Sequence, residues 1–134
     1  MPSENEVFLM GHLGQDHETK YTPSGRAVTT ISVATTRRWQ VNGQWQDATD
    51  WHRVVAWDVG EKTLAWLRKG NLVRVRGRLQ TRSYDDKNGD KRYVTEVVGR
   101  VSFLREPFRG GPRDEDAPPA GPEMPPITDD DVPF

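Results

Sequence analysis

The sequence predicts an all-β fold: a small barrel of five strands with one short helix between the third and fourth, followed by an acidic tail too polar to fold. Three observations carry this reading. Apolar residues recur at period two through most of the body, a helical pattern occurs once, and the end of the chain is dominated by Pro, Gly, Asp and Glu.

The elements follow in order. Over residues 6–13, Val7, Leu9, Gly11 and Leu13 alternate with Phe8, Met10 and His12, the period of a strand. Residues 14–25 supply turn chemistry, and residues 27–36, dense in Val, Thr and Ile, form the second strand. A hairpin loop is expected around Asn42 and Gly43, and the third strand spans residues 50–57. Residues 61–69 form the helix, because Leu64 and Leu67 share one helical face and Gly70 is placed to end it. The fourth strand starts at Asn71 and runs towards Tyr84. A turn holding Asn88 and Gly89 leads into the fifth strand over residues 92–104. Three strands, a helix and two strands is the order of an OB-fold, a five-stranded Greek-key barrel, although another small barrel fits the same order.

Charge divides the chain. Residues 1–109 hold 18 Lys and Arg against 13 Asp and Glu, a net +5, whereas residues 110–134 hold 1 against 7, a net −6. Residues 1–108 are therefore read as the folded domain, residues 109–128 as a disordered linker, and residues 129–134 as a distinct tip. A basic body suits a polyanionic partner, and a tethered acidic tail would compete weakly for the same surface. The tip, Asp129, Asp130, Asp131, Val132, Pro133 and Phe134, joins three carboxylates to an apolar free end. That pattern suits capture in an apolar pocket rimmed by Lys or Arg; the plainer alternative is a solubilising tail. Cysteine is absent, which excludes disulfides and thiolate metal sites, and no apolar run approaches membrane-spanning length. The first six residues lack a signal-peptide pattern, so a cytoplasmic, nucleoid-associated protein is expected.

Candidate binding residues fall on the expected strands. Trp51, Arg53, Val55 and Trp57 share one face of the third strand, opposite His52, Val54 and Ala56. Indoles offer an unpaired base a flat platform whatever its identity, and a neighbouring guanidinium meets phosphate; equally, Trp51 and Trp57 fit a role as ordinary core residues. On the fourth strand Arg74, Arg76, Arg78, Arg82 and Tyr84 occupy even positions, with no acid between Asn71 and Tyr84. A solvated outer face explains such a row as well, and Gly77 is a candidate bulge that would flip its alternation. The hairpin loop is expected to add Arg37, Arg38 and Trp39, with Trp45 on its return limb.

The chain closely resembles the bacterial single-stranded DNA-binding proteins. The resemblance rests on Gly-His-Leu-Gly at residues 11–14, Thr-Asp-Trp-His-Arg-Val-Val at 49–55, Leu-Arg-Lys-Gly at 67–70, and the Asp-Asp-Asp-Val-Pro-Phe ending, which departs from the family tip only by Val132 in place of isoleucine. It implies stacking by Trp39, Trp51, Trp57 and Tyr84, with Trp57 where phenylalanine is frequent and Tyr84 where tryptophan is. It also implies basic contacts at Arg53 and Arg82, whereas Gln80 stands at a place that is basic in some relatives. His52 matches a subunit-contact position; a simple core histidine is the alternative. Single-stranded DNA, a homotetramer, and replication, recombination and repair proteins recruited by residues 129–134 are the partners so implied. No cofactor is expected.

An enzyme finds no support in the residues. His12, His17 and His52 lack paired ligand spacing, and Asp85, Asp86 and Asp90 read as a polar turn rather than a metal cage. The expected function is sequence-independent binding of single-stranded DNA. The alternatives are a single-stranded RNA-binding or partner-scaffold module on the same barrel, or a specialised paralogue for transformation or chromosome segregation.

Overall fold

The computed structural model describes residues 1–103. The order is β1 (Val7–Leu13), β2 (Glu18–Tyr21), β3 (Ala27–Val41), β4 (Gln44–Trp57), α1 (Glu61–Trp66), β5 (Leu72–Asp85) and β6 (Lys91–Phe103). Residues 104–108 of the expected domain, the linker 109–128 and the tip 129–134 lie outside the described residues. Hydrogen bonding runs β1-β5-β6-β4-β3-β2, and β1 returns to β3 through His12 opposite Ala34 and Leu13 opposite Val33. That return closes β1, β3, β4, β5 and β6 into the five-stranded OB-fold barrel. The short β2, expected to be a turn, continues along the β3 edge just beyond β1, pairing Glu18 with Thr30 and Tyr21 with Ala27.

Period two sorts the side chains. Leu13, Ile31, Val33, Val54, Val73, Val75 and Val97 point inward and, with Leu67, form the fully buried core. Each such aliphatic side chain contributes roughly 1.5–3 kcal/mol on burial. The helix is shorter than residues 61–69 because Leu67 leaves helical geometry at φ −76° and ψ 65°. Its side chain then drops into the barrel, Asn71 Nδ2 donates to the Trp66 carbonyl at 2.7 Å, and Gly70 at φ +89° turns the chain into β5.

Two further expectations need correction. Residues 37–49 are not a loop: β3 and β4 stay paired out to Val41 opposite Gln44, joined by Asn42 and Gly43 at φ +49° and +80°. Positive φ at both central residues matches the right-handed twist of the strands, so Asn-Gly allows the ribbon to continue to a two-residue turn. Nor is there a bulge at Gly77. The β5–β6 register is unbroken from Val73 opposite Phe103 to Asp85 opposite Lys91. Gly77 faces Gly99 instead, and a Cβ on Gly77 would lie 2.1 Å from the Val98 carbonyl oxygen. The pair serves close approach of two strands, not a change of face.

Candidate nucleic-acid interface

The outer face of the wall formed by β3, β4, β6 and β5 gathers most of the aromatic and basic residues. Cross-strand pairing sets Ala34 beside Trp51, Ser32 beside Arg53, Thr30 beside Val55 and Val28 beside Trp57. Val28, Val55 and Val98 form a small second cluster on this outer side, with Trp57 packed against it. The middle of β4 is therefore covered on both faces, Val54 by the barrel interior and Val55 by this cluster. Trp57 is half-buried and carries the Arg26 guanidinium 4.7 Å from its ring centroid. Trp51, also half-buried, lies over Gly14, where a Cβ would come within 2.3 Å of its ring. The indole needs that missing side chain.

Arg53 would be out of place beside a covered valine were it not for β6. Glu96, its side chain 2% exposed, accepts from Arg53 Nε at 2.9 Å and from Arg82 Nε at 2.9 Å. The Arg53 side chain remains 30% exposed, whereas that of Arg82 is only 8% exposed. Tyr84 follows Arg82 on the same face of β5, opposite Arg92. Arg78, also on this face, donates to Gln80 Oε1 at 3.0 Å.

The β3–β4 ribbon carries aromatic and basic groups on both sides. Register puts Arg38 and Trp45 on the side of Trp51, with Arg38 stacked 5.0 Å above the Trp45 ring and held by Asp47 at 3.3 Å. Arg37 and Trp39 occupy the opposite side, the arginine 5.1 Å from the ring centroid and paired with Asp50 at 3.0 Å. The structure thus separates Trp39 from Trp51 by the thickness of the ribbon. Trp45, kept out of the primary set on sequence, shares the Trp51 face and is 60% exposed. Below Trp39, His52 faces the barrel side and is hydrogen-bonded to Thr35 Oγ1 at 2.8 Å.

Arg74 and Arg76 stand apart from this constellation. They lie where β5 pairs with β1, opposite Met10 and Phe8, and Arg76 is 5.4 Å from the Phe8 ring centroid. Trp66 is structural, donating its Nε1–H to the Leu72 carbonyl at 2.9 Å and lying 5.7 Å from the Phe103 ring.

Two site residues escaped the sequence reading, Glu96 and Arg26. A lone acid on β6, next to Val97 and Val98, was the available signal for Glu96; its partners, 43 and 14 positions away, were not. Among the described residues no group of three or more His, Cys, Asp or Glu is placed to hold a metal ion. Nor is any helix among them long and apolar enough to cross a membrane.

Comparison with known proteins identifies the family and the fold. The model of the single-strand binding protein family matches residues 4–104. Over 97 residues the chain is 46% identical to single-stranded DNA-binding protein 1 of Chlorobaculum tepidum, an alignment covering 70% of this chain. It spans 60% of that relative's length. The fold is also similar to that of a Plasmodium falciparum SSB solved in complex with ssDNA, with a TM-score of 0.69 and 33% identity over 78% of this chain and 98% of that one.

Proposed function

The chain belongs to the single-strand binding protein family, and from that premise we propose that it binds single-stranded DNA, without catalysis, across the outer β4–β6–β5 face and the β3–β4 ribbon. The observation that carries the reading is the placement of Trp51, Arg53 and Trp57 on one face of β4, with Trp45 and Arg38 continuing that face along the ribbon. Bases stack on the indoles and on Tyr84, and phosphates meet Arg53, Arg38 and Arg37. Trp39 receives a strand that crosses the ribbon edge. Arg82 acts from beneath, through Glu96. Stacking contributes roughly 1–3 kcal/mol per base in single-strand binders of this kind, the proteins on which the figure rests, and is blind to base identity.

The broader role is protection of exposed strands in replication, recombination and repair on the nucleoid, with residues 129–134 recruiting partner proteins. The chain assembles with further copies of itself, a homotetramer in our reading, and β1 supports such a copy-to-copy contact. Phe8 and Met10 are 64% and 59% exposed on its outer face, flanked by Arg74 and Arg76, and β3 pairs with β1 only at His12 and Leu13. Gly11 already lies against the Ala34 carbonyl of β3, so the edge from Val7 to Met10 is what is left for a second copy. Arg74 and Arg76 belong to this copy-to-copy face in our reading, rather than to the strand path.

Tryptophan fluorescence during titration with oligo(dT), oligo(rU) and duplex DNA at two salt concentrations tests the proposal. Quenching by oligo(dT) that saturates at a defined nucleotide count, and is absent with duplex, is the expected result. Stronger binding of oligo(rU) would move the chain to RNA handling, and no quenching by either strand would refute the stacking face.

A further inference from the structure

A buried carboxylate is an unexpected neighbour for a surface that receives a polyanion. Resting on the single-stranded DNA reading above, we propose that Glu96 is a positioning residue that holds the Arg53 guanidinium out towards the phosphate path, with Arg82 as its counter-charge beneath.

The geometry divides the labour. Glu96 lies on β6 beside Val97 and Val98, with its two oxygens each taken by an arginine Nε at 2.9 Å. Two guanidiniums around one carboxylate leave a net single positive charge, so the trio still attracts phosphate while the acid is compensated. The two arginines are not equivalent. Arg82 is almost wholly buried and its Nη2 has no hydrogen-bond partner among the described residues, whereas the Arg53 side chain stays 30% exposed. An arginine on a surface samples many rotamers, and fixing one by its Nε removes that freedom before the ligand arrives. The cross-strand neighbour of Glu96, Gln80, accepts at its Oε1 from Arg78 Nη2 at 3.0 Å, so its carbonyl oxygen is engaged away from the Arg53–Glu96–Arg82 trio.

Simple electrostatics and positioning predict opposite signs, which makes the inference testable in the full chain. Removing a negative charge from a DNA-binding face should tighten binding if Glu96 merely repels. If it positions Arg53, Glu96→Gln weakens binding of oligo(dT) about tenfold at moderate salt, the loss of roughly one charge-assisted contact. The slope of log K against log salt falls by about 0.7, the share of one phosphate on a single strand. Glu96→Asp, which keeps the charge but shortens the reach, weakens binding in the same direction and covers the case in which the glutamine variant folds poorly by circular dichroism. Adding Arg53→Met to Glu96→Gln costs nothing beyond Arg53→Met alone, since both remove the same contact. Binding by either Glu96 variant as tight as that of the parent chain, or losses that add in the double variant, overturns the proposal. Absence of quenching in the unsubstituted chain would instead overturn the reading on which it rests.

Discussion

At the scale of single residues, exposure and support separate groups that look alike in sequence. Trp51 sits at the centre of the proposed face, held over Gly14, whereas Trp45 stands near the ribbon's turn with 60% of its surface exposed. A preordered ring loses less freedom on binding, so Trp51→Ala is expected to weaken oligo(dT) binding by about 1–3 kcal/mol and Trp45→Ala by less, measured by fluorescence anisotropy. Equal losses would refute the central role of Trp51. Arg53 and Arg82 likewise matched one basic role in sequence. Burial distinguishes them, because Glu96 draws Arg82 beneath the surface while Arg53 stays partly in solvent. Nothing local to either arginine encodes that difference. It depends on a side chain supplied by another strand.

Among elements, period and turn chemistry made most of the barrel legible, and the errors fell where pairing extends a strand through polar sequence. Residues 37–49 hold Arg, Gln, Asn, Gly and Asp and few aliphatic side chains and therefore read as a loop, but cross-strand hydrogen bonds and the Asn42-Gly43 turn carry β3 and β4 through them. Residues 18–21 became β2 for the same reason, since the β3 edge was there to pair with. The loop between β1 and β2 is tied down by Asp16. Its Oδ1 accepts from the Lys69 amide at 2.9 Å and its Oδ2 from Arg68 at 3.5 Å. The backbone bond to Lys69, with the nearby Arg68 charge, lowers the Asp16 carboxyl below its ordinary value, against the opposing effect of burial. A depressed folded-state value contributes stability that is complete above the unfolded value of about 3.9 and is lost as pH falls through the folded one. Thermal melts of the parent chain and Asp16→Asn should therefore differ by a constant amount near neutrality and converge below about pH 4. A difference unchanged down to pH 2 would sink this assignment.

For the whole molecule, the opposed charges of body and tail make a prediction of their own. A chain cut after Arg109 keeps the net +5 of the body and loses the net −6 that follows. It is expected to bind oligo(dT) several-fold more tightly than the full chain at low salt and equally at high salt, where screening acts within about 3 Å at 1 M. Unchanged affinity at low salt would rule out competition by the tail. By itself the sequence determined an all-β body with one short helix, the order of the five barrel strands, the pairing of aromatic with basic residues on β4, and the contrast between basic body and acidic end. All of these are local, written in period two, in turn residues and in the charge of consecutive segments. Only the tertiary structure decided which arginines share Glu96, which side of the ribbon each tryptophan takes, and that Arg74 and Arg76 lie with Phe8 and Met10, away from Arg53. Those relations join residues far apart in the chain, and they exist only once barrel closure and strand register bring their side chains to one face.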